Sequence, residues 1–416
     1  MLTKYTSPHR NREYGTPATT AATAGTETVA TYLNKRLAQI GVGHVFCIPG
    51  DYIAEWCATL DQPDLNAGLV RVHANNEMCA TYAADGYGRA VNGSVGCVAF
   101  TYGVGALNAA QAVAGAFVER VPLVVINGSP SIGQFNSERD QGVTYHHMLD
   151  GSRTDLRVFR EFTEIAVLID NPATAPELID GALRTCITAS RPVYIEIVNQ
   201  TANLPCRAAP DAPLQASPVP ATASSLNEAV DAVFMHLQNA ENVVIVGGVE
   251  LARSGLQKPF ADLLARIDAP YVTSPLGKSV LSELRTDVRF AGVYFGRSSP
   301  PELQNLMEAA DCVIALGVQD TDFNYLGVVT PDYNPAAASG LAGPTHIQAR
   351  NGAVLVGRDL AYWGDVGLAE FVDALIAKID SIGTLANAPF PGPQGPASSI
   401  PIPSQYPAAD AITYDS

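Results

Sequence analysis

Apolar residues recur along this chain in two rhythms. In TETVATYLNKRLAQIGV (26–42) they fall at helical spacing, and the pattern stops at Gly41. HVFCIPG (44–50) is a short apolar run entering a turn, as expected of a buried strand. NNEMCATYAADGYGRAVNG (75–93) returns to helical spacing and ends on glycine. SVGCVAFTYGVG (94–105) predicts a strand and a turn, ALNAAQAVAGAFVER (106–120) a helix rich in small residues, and VPLVVINGSP (121–130) and RPVYIEIVNQ (191–200) two more strands. Short apolar strands alternating with helices predict a doubly wound, mostly parallel α/β sheet.

The rhythm breaks at CRAAPDAPLQASPVPATASS (206–225), which is rich in Pro and Ala and poor in charge, and so reads as a linker. A second α/β unit follows, with the helix LNEAVDAVFMHLQNA (226–240) and the strands NVVIVGG (242–248), APYVTS (269–274) and CVIALG (312–317). The expected organisation is a polar leader over 1–25, a first domain over 26–203, a linker over 204–225 and a second domain over 226–382. A second Pro-rich stretch begins at 383, and the chain closes on ITYDS (412–416). A long linker followed by five residues predicts a further domain that this polypeptide lacks.

Composition narrows the function. The 416 residues carry a formal net charge of -16, which repels nucleic-acid phosphates and anionic membrane surfaces. The seven cysteines form no CxxC pair and their number is odd, the usage expected of reduced thiols in the cytoplasm. The start of the chain has no apolar signal core, and no apolar run reaches a membrane span. The sequons at Asn92, Asn127 and Asn199 are therefore expected to carry no glycan.

Four local features could carry chemistry. Glu77 is a carboxylate on a helix of apolar and small residues; it is either a surface group at a helix start or a buried acid that must be paired or protonated. His146 and His147 are adjacent in Tyr145-His146-His147-Met148. No further ligand stands at zinc spacing, which leaves acid–base chemistry or a surface role. Pro49-Gly50-Asp51-Tyr52 follows a strand, at the edge where open α/β sheets bind ligands, although Asp51 could equally serve an Asx turn. Thr101-Tyr102-Gly103-Val104-Gly105-Ala106-Leu107-Asn108 offers a GxG, but Asn108 stands where a dinucleotide fingerprint needs its third glycine. NAD is disfavoured, while a close backbone approach to some ligand is retained.

Taken together and in this order, VFCIPGDYIAEW, NNEMCATYAADGYGRA, FTYGVGALNAAQAVAGAFVERVPLVVINGSPS and YHHML resemble the pyrimidine-binding domain of thiamine-diphosphate-dependent pyruvate and indolepyruvate decarboxylases. VTSPLGKSVLSE, FAGVYFGRSSPPEL and ADCVIALGVQDTDFNY resemble the same family's middle domain, so the likeness spans about 26–382. The resemblance implies two doubly wound domains, the second Rossmann-like. It implies that Glu77 hydrogen-bonds N1′ of the cofactor's aminopyrimidine and so promotes the C2 ylide. Asp51, His146 and His147 would handle protons as the enamine gives an aldehyde. Pro49, Gly50, Thr101, Gly103, Val104, Gly105 and Asn108 are the expected cofactor contacts. The middle domain is expected to hold no nucleotide; where some decarboxylases carry a substrate-sensing cysteine, this chain has Val249 and Glu250.

Family members hold the diphosphate and Mg2+ on a third domain, marked by GDG and, about 25 residues later, NN. Gly50-Asp51-Tyr52 with Asn75-Asn76 imitates that spacing but lacks the second glycine, and Asp365 is followed by no Asn pair. No metal ligands are therefore expected on this chain. The expectation is one subunit of a split decarboxylase for a small 2-oxo acid. It would be a homodimer or a heterotetramer and would need a partner chain that carries the diphosphate-binding domain. Alone it would bind thiamine diphosphate poorly and turn over nothing. A carboligase of the same chemistry, or a non-catalytic scaffold or regulator, are the alternatives.

Overall fold

The computed structural model describes residues 27–90, 94–321, 324, 345–357 and 361–382. The leader, the glycine after the second helix, the sequon at Asn92 and everything from 383 onward lie outside these residues.

The first unit runs β1 (Glu27–Thr28), α1 (Val29–Gln39), β2 (His44–Cys47), α2 (Ala54–Leu60), β3 (Val70–His73), α3 (Glu77–Ala90), β4 (Gly96–Thr101), α4 (Val104–Val118) and β5 (Leu123–Ser129). It continues through α5 (Ile132–Gln141), α6 (Thr154–Phe159), β6 (Ile165–Ile169), α7 (Ala175–Ala189), β7 (Val193–Val198) and β8 (Pro205–Cys206). The first helix begins at Val29, three residues past the start of its sequence pattern. There Thr28 Oγ1 accepts the Thr31 N–H while Thr31 Oγ1 accepts the Thr28 N–H, a reciprocal cap.

Six strands form one parallel sheet in the order β3-β2-β4-β5-β7-β6. Its central strands β4, β5 and β7 are buried throughout. Period-two alternation divides their side chains between two cores. Cys97, Ala99, Val124, Ile126 and Ile195 pack toward Trp56, Leu33 and Leu183, whereas Val98, Phe100, Val125 and Tyr194 pack toward Ala80, Ala109 and Phe159. The small residues of α4 let it lie close against Ala80 and Ala84 of α3.

A buried ion pair ties α1 to α7. Arg36 is 3% exposed and donates through Nε to Asp180 Oδ1 at 2.8 Å and through Nη2 to Oδ2 at 2.5 Å. Asp180→Ala leaves a buried guanidinium without its counter-charge. It should destabilise the fold by ~3–5 kcal/mol, read as a lower urea midpoint with an unchanged slope.

The second unit runs α8 (Ala223–Asn239), β9 (Val243–Gly247), α9 (Val249–Arg253), α10 (Gln257–Ile267), β10 (Pro270–Thr273), β11 (Arg289–Val293), α11 (Pro301–Ala309), β12 (Cys312–Leu316), β13 (Thr345–Arg350), β14 (Ala353–Val356), β15 (Ala361–Trp363) and α12 (Leu368–Ile382). The sheet order is β11-β10-β9-β12-β13-β14-β15; the strands from β11 to β13 are parallel and the last two turn antiparallel. The glycines after β9 serve close packing, since a Cβ on Gly248 would lie 2.1 Å from the Gly317 carbonyl oxygen. Glu250, at the position compared with the sensing cysteine, is buried; it pairs with Arg120 of the first unit at 2.9 Å and accepts the Asn351 N–H.

The stretch read as a linker is strapped to the first unit. Ala209 and Leu214 enter its core, the Ala209 N–H donates to Glu27, and Lys35 Nζ donates to the Ala209 carbonyl.

Candidate active site

In the first sheet the chain steps from β2 outward to β3 and then back across to β4. The gap between the carboxyl ends of β2 and β4 is thus the point where the winding reverses, and in open α/β sheets that crevice is where ligands sit. The turn after β2 is Pro49-Gly50-Asp51, and the turn after β4 is Tyr102-Gly103. Gly50 lets the two meet: a Cβ there would stand 2.5 Å from the Thr101 side chain.

Three groups converge on Thr101–Gly105. Asp51, half-exposed, has one oxygen 3.5 Å from the Thr101 hydroxyl and the other 2.8 Å from His146 Nε2. Among the described residues these contacts, and not an Asx turn, occupy its carboxylate. Glu77, partly buried at the first turn of α3, comes from the other side. Its Oε2 accepts the Asn108 Nδ2–H at 3.0 Å, and its Oε1 lies 3.0 Å from where a Cβ on Gly105 would stand. The dihistidine loop covers the turn, so that a Cβ on Gly103 would stand 1.9 Å from the His147 carbonyl oxygen. Gly103 takes φ 82°, ψ -122°, a region open only to glycine. Asp51, Glu77, His146 and His147, which lie up to 96 positions apart in sequence, therefore border one turn.

The loop is held by an apolar pocket and by stacking. Met148 is buried among Tyr52, Tyr102 and Phe135. The Tyr52 ring stacks on His146 with centroids 5.6 Å apart, and the two imidazoles meet edge-on at 4.9 Å. His146 keeps its ring 62% exposed, so a proton held there can be exchanged with a bound molecule.

Beneath the turn lies a polar cluster that sequence reading missed. Asp155 is fully buried; its Oδ2 accepts the Gly103 N–H at 2.8 Å and Asn127 Nδ2–H at 3.0 Å. Asn127 also donates to the Tyr194 hydroxyl at 2.7 Å, which donates to Glu196 at 3.1 Å; Arg153 pairs with the other Glu196 oxygen at 3.1 Å. Asn127 had been set aside with the other sequons, yet it is sealed at the centre of the sheet. The only sequence signal was a carboxylate in the middle of the β7 run.

Burial pushes the Asp155 carboxyl up to about 7, aided by the nearby Glu196 and opposed by the Gly103 and Asn127 hydrogen bonds. Burial also raises Glu196, against the pull of Arg153. The linkage sign follows. Folding takes up a proton at Asp155 between its ordinary 3.8 and about 7, so this group favours the fold in acid, and that favour is lost as pH rises through about 7. The unfolding free energy of the wild type relative to Asp155→Asn should therefore fall by ~4 kcal/mol from about pH 4 to about pH 8, as measured by urea titration.

The pyrimidine-side residues fit an aromatic ring. Glu77 offers a carboxylate, Gly105 sets no side chain against it, and Val104 beside them is 58% exposed. For magnesium, no group of three or more His, Cys, Asp or Glu is placed to hold a metal ion among the described residues.

Comparison with known families places both units. Residues 27–153 match the thiamine pyrophosphate enzyme N-terminal binding domain, and residues 230–375 match the thiamine pyrophosphate enzyme central domain. The chain belongs to the thiamine pyrophosphate enzyme family. It is similar to a probable pyruvate decarboxylase of Schizosaccharomyces pombe, with 32% identity over 302 residues, covering 72% of this chain and 51% of the relative. Similarity to pyruvate decarboxylase 1 of Oryza sativa subsp. japonica is 31% over 367 residues, covering 88% and 57%. For pyruvate decarboxylase isozyme 1 of Saccharomyces cerevisiae it is 32% over 300 residues, covering 71% and 51%. The chain thus spans little more than half the length of these relatives. Among the described residues no helix is long and apolar enough to cross a membrane.

Proposed function

We propose that this chain forms the aminopyrimidine side of a thiamine-diphosphate-dependent 2-oxo-acid decarboxylase, with the diphosphate and Mg2+ held by a GDG…NN module on a partner chain. The observation that carries the reading is the convergence of Glu77 and the Asp51–His146 pair, at 2.8 Å, on the turn Thr101–Gly105. When bound, thiamine diphosphate supplies a carbon nucleophile that adds to the 2-oxo acid and takes up the electron pair left as carbon dioxide departs.

The chain's own residues orient the ring and move protons. Glu77 would share a proton with a ring nitrogen, while Asn108 holds its other oxygen in place. Gly103, Val104 and Gly105 bring backbone and a small apolar surface against the ring. Asp51 orients His146 through the 2.8 Å contact to Nε2, so that a proton can pass from the imidazole to the carbon that has lost carbon dioxide. His147, edge-on to His146, completes the pair.

A scaffold has no physical need for four polar side chains around one turn, three of them far apart in sequence. The whole enzyme would be a homodimer or a heterotetramer working in the cytoplasm. The test is to express this chain with and without a GDG…NN chain and to supply pyruvate and larger aromatic 2-oxo acids. Carbon dioxide and aldehyde only with both chains support the reading. Acyloin as the main product makes it a carboligase, and turnover by this chain alone overturns the partner requirement.

A further inference from the structure

The buried cluster beneath the turn plays no part in the proton transfers just described, yet it touches the turn at its most constrained residue. Asp155 accepts the N–H of Gly103, the positive-φ glycine whose missing side chain admits the His147 carbonyl. Asp155 Oδ1 and Asn127 Oδ1 have no hydrogen-bond partner among the described residues. Asp155 does not cap α6, whose N-cap residue is Arg153 and which has no side-chain cap bond, so its own helix gives no reason for so buried a carboxylate.

The covalent path closes the argument. From His147 the chain runs only eight residues to Asp155, and both His147 (φ 65°) and Arg153 (φ 56°) sit in the left-handed region that side chains disfavour. Such residues persist where their surroundings over-determine them. Here Arg153 is fixed by Glu196 and by the face of Phe135, 4.4 Å below its guanidinium, while Met148 is fixed in its apolar pocket. Asp155 then joins the far end of this loop to Gly103, against which the near end rests.

We propose that Asp155 is a positioning residue of the site: its hydrogen bond to Gly103 sets the turn on which the dihistidine loop rests, and so the place of His146 opposite Asp51. The inference rests on reading Asp51 and His146 as the acid–base pair. The groups that face Asp155 are Glu196 and Tyr194 from β7, Tyr102 from the turn after β4, Arg153 ahead of α6, and the uncharged Asn127 from β5. Of these, Glu196 is held by Arg153 and Tyr194, whereas the Asp155 carboxylate bonds to the turn at Gly103.

The experiment is amide NMR of the whole chain labelled with 15N-glycine and 15N-histidine, followed between about pH 5 and about pH 9. In the wild type the Gly103 amide should move with a midpoint near 7, because a neutral acid accepts its hydrogen bond more weakly, and the His146 and His147 amides should move with it. In Asp155→Asn the Gly103 amide should stay at one position throughout, and the two histidine amides should lose that component. A Gly103 amide that does not titrate in the wild type overturns the proposal, even if the variant fails to fold. A Gly103 amide that titrates alike in both proteins overturns it too. The readout needs neither cofactor nor partner, so failure of decarboxylation counts against the proposed function and leaves this result standing.

Discussion

Glu77→Gln should abolish cofactor-dependent turnover by roughly 10³-fold while leaving the fold intact. The amide keeps the length and shape of the carboxylate, and its carbonyl can still accept the Asn108 Nδ2–H that now ends on Glu77 at 3.0 Å. What it loses is the ability to share a proton with a ring nitrogen. Because the side chain is partly exposed at a helix start, stability should change by less than about 0.5 kcal/mol. The measurement is carbon dioxide release with the complementing module present, beside a urea titration of each protein. Turnover near the wild-type rate would remove Glu77 from the chemistry.

Gly103→Ala should produce the largest loss of stability at the site, roughly 2–5 kcal/mol. Two penalties add. An alanine at φ 82° and ψ -122° is strained, and its methyl would stand 1.9 Å from the His147 carbonyl oxygen, so the dihistidine loop must lift. Gly105→Ala is the informative contrast. Gly105 lies within α4 without positive φ, and its added methyl comes tightest to the end of the Glu77 side chain, at 3.0 Å, with Thr101 Cγ2 at an ordinary 3.6 Å. It should leave the urea midpoint within about 1 kcal/mol of wild type but obstruct the space before the carboxylate. Loss of cofactor-dependent turnover without loss of stability there, and loss of both at Gly103, would separate the two glycines. Equal stability losses would mean that the turn tolerates displacement.

Much of the fold was legible because its strands announce themselves. β2, β4, β5, β7, β9, β10 and β12 are apolar runs bounded by turn residues, and each lies in its sheet as read. β1, β3, β6, β8, β11 and β13 to β15 were not read. β3 is a half-exposed edge, and β13 to β15 belong to the mixed end of the second sheet, where His346 and Gln348 interrupt the apolar pattern. The linker was read from composition, which cannot show that Ala209 and Leu214 find a core to enter. At the site, each of the residues named from sequence, Pro49, Gly50, Asp51, Glu77, Thr101, Gly103, Val104, Gly105, Asn108, His146 and His147, lies on or next to the same switch-point crevice. Asp155 was invisible, since an Asp in the first turn of a short helix looks like any capping residue.

Local pattern alone thus determined the alternation of strand and helix and the glycine turns, because periodicity and backbone freedom are properties of neighbouring residues. Which carboxylate borders the crevice and which is sealed beneath the turn was decided by tertiary structure. Glu77 and Asp155 both stand in the first turn of a helix. The winding of the sheet brings one to the crevice between β2 and β4 and places the other under the turn, where removal from water, a property of the folded surroundings, sets what each can do.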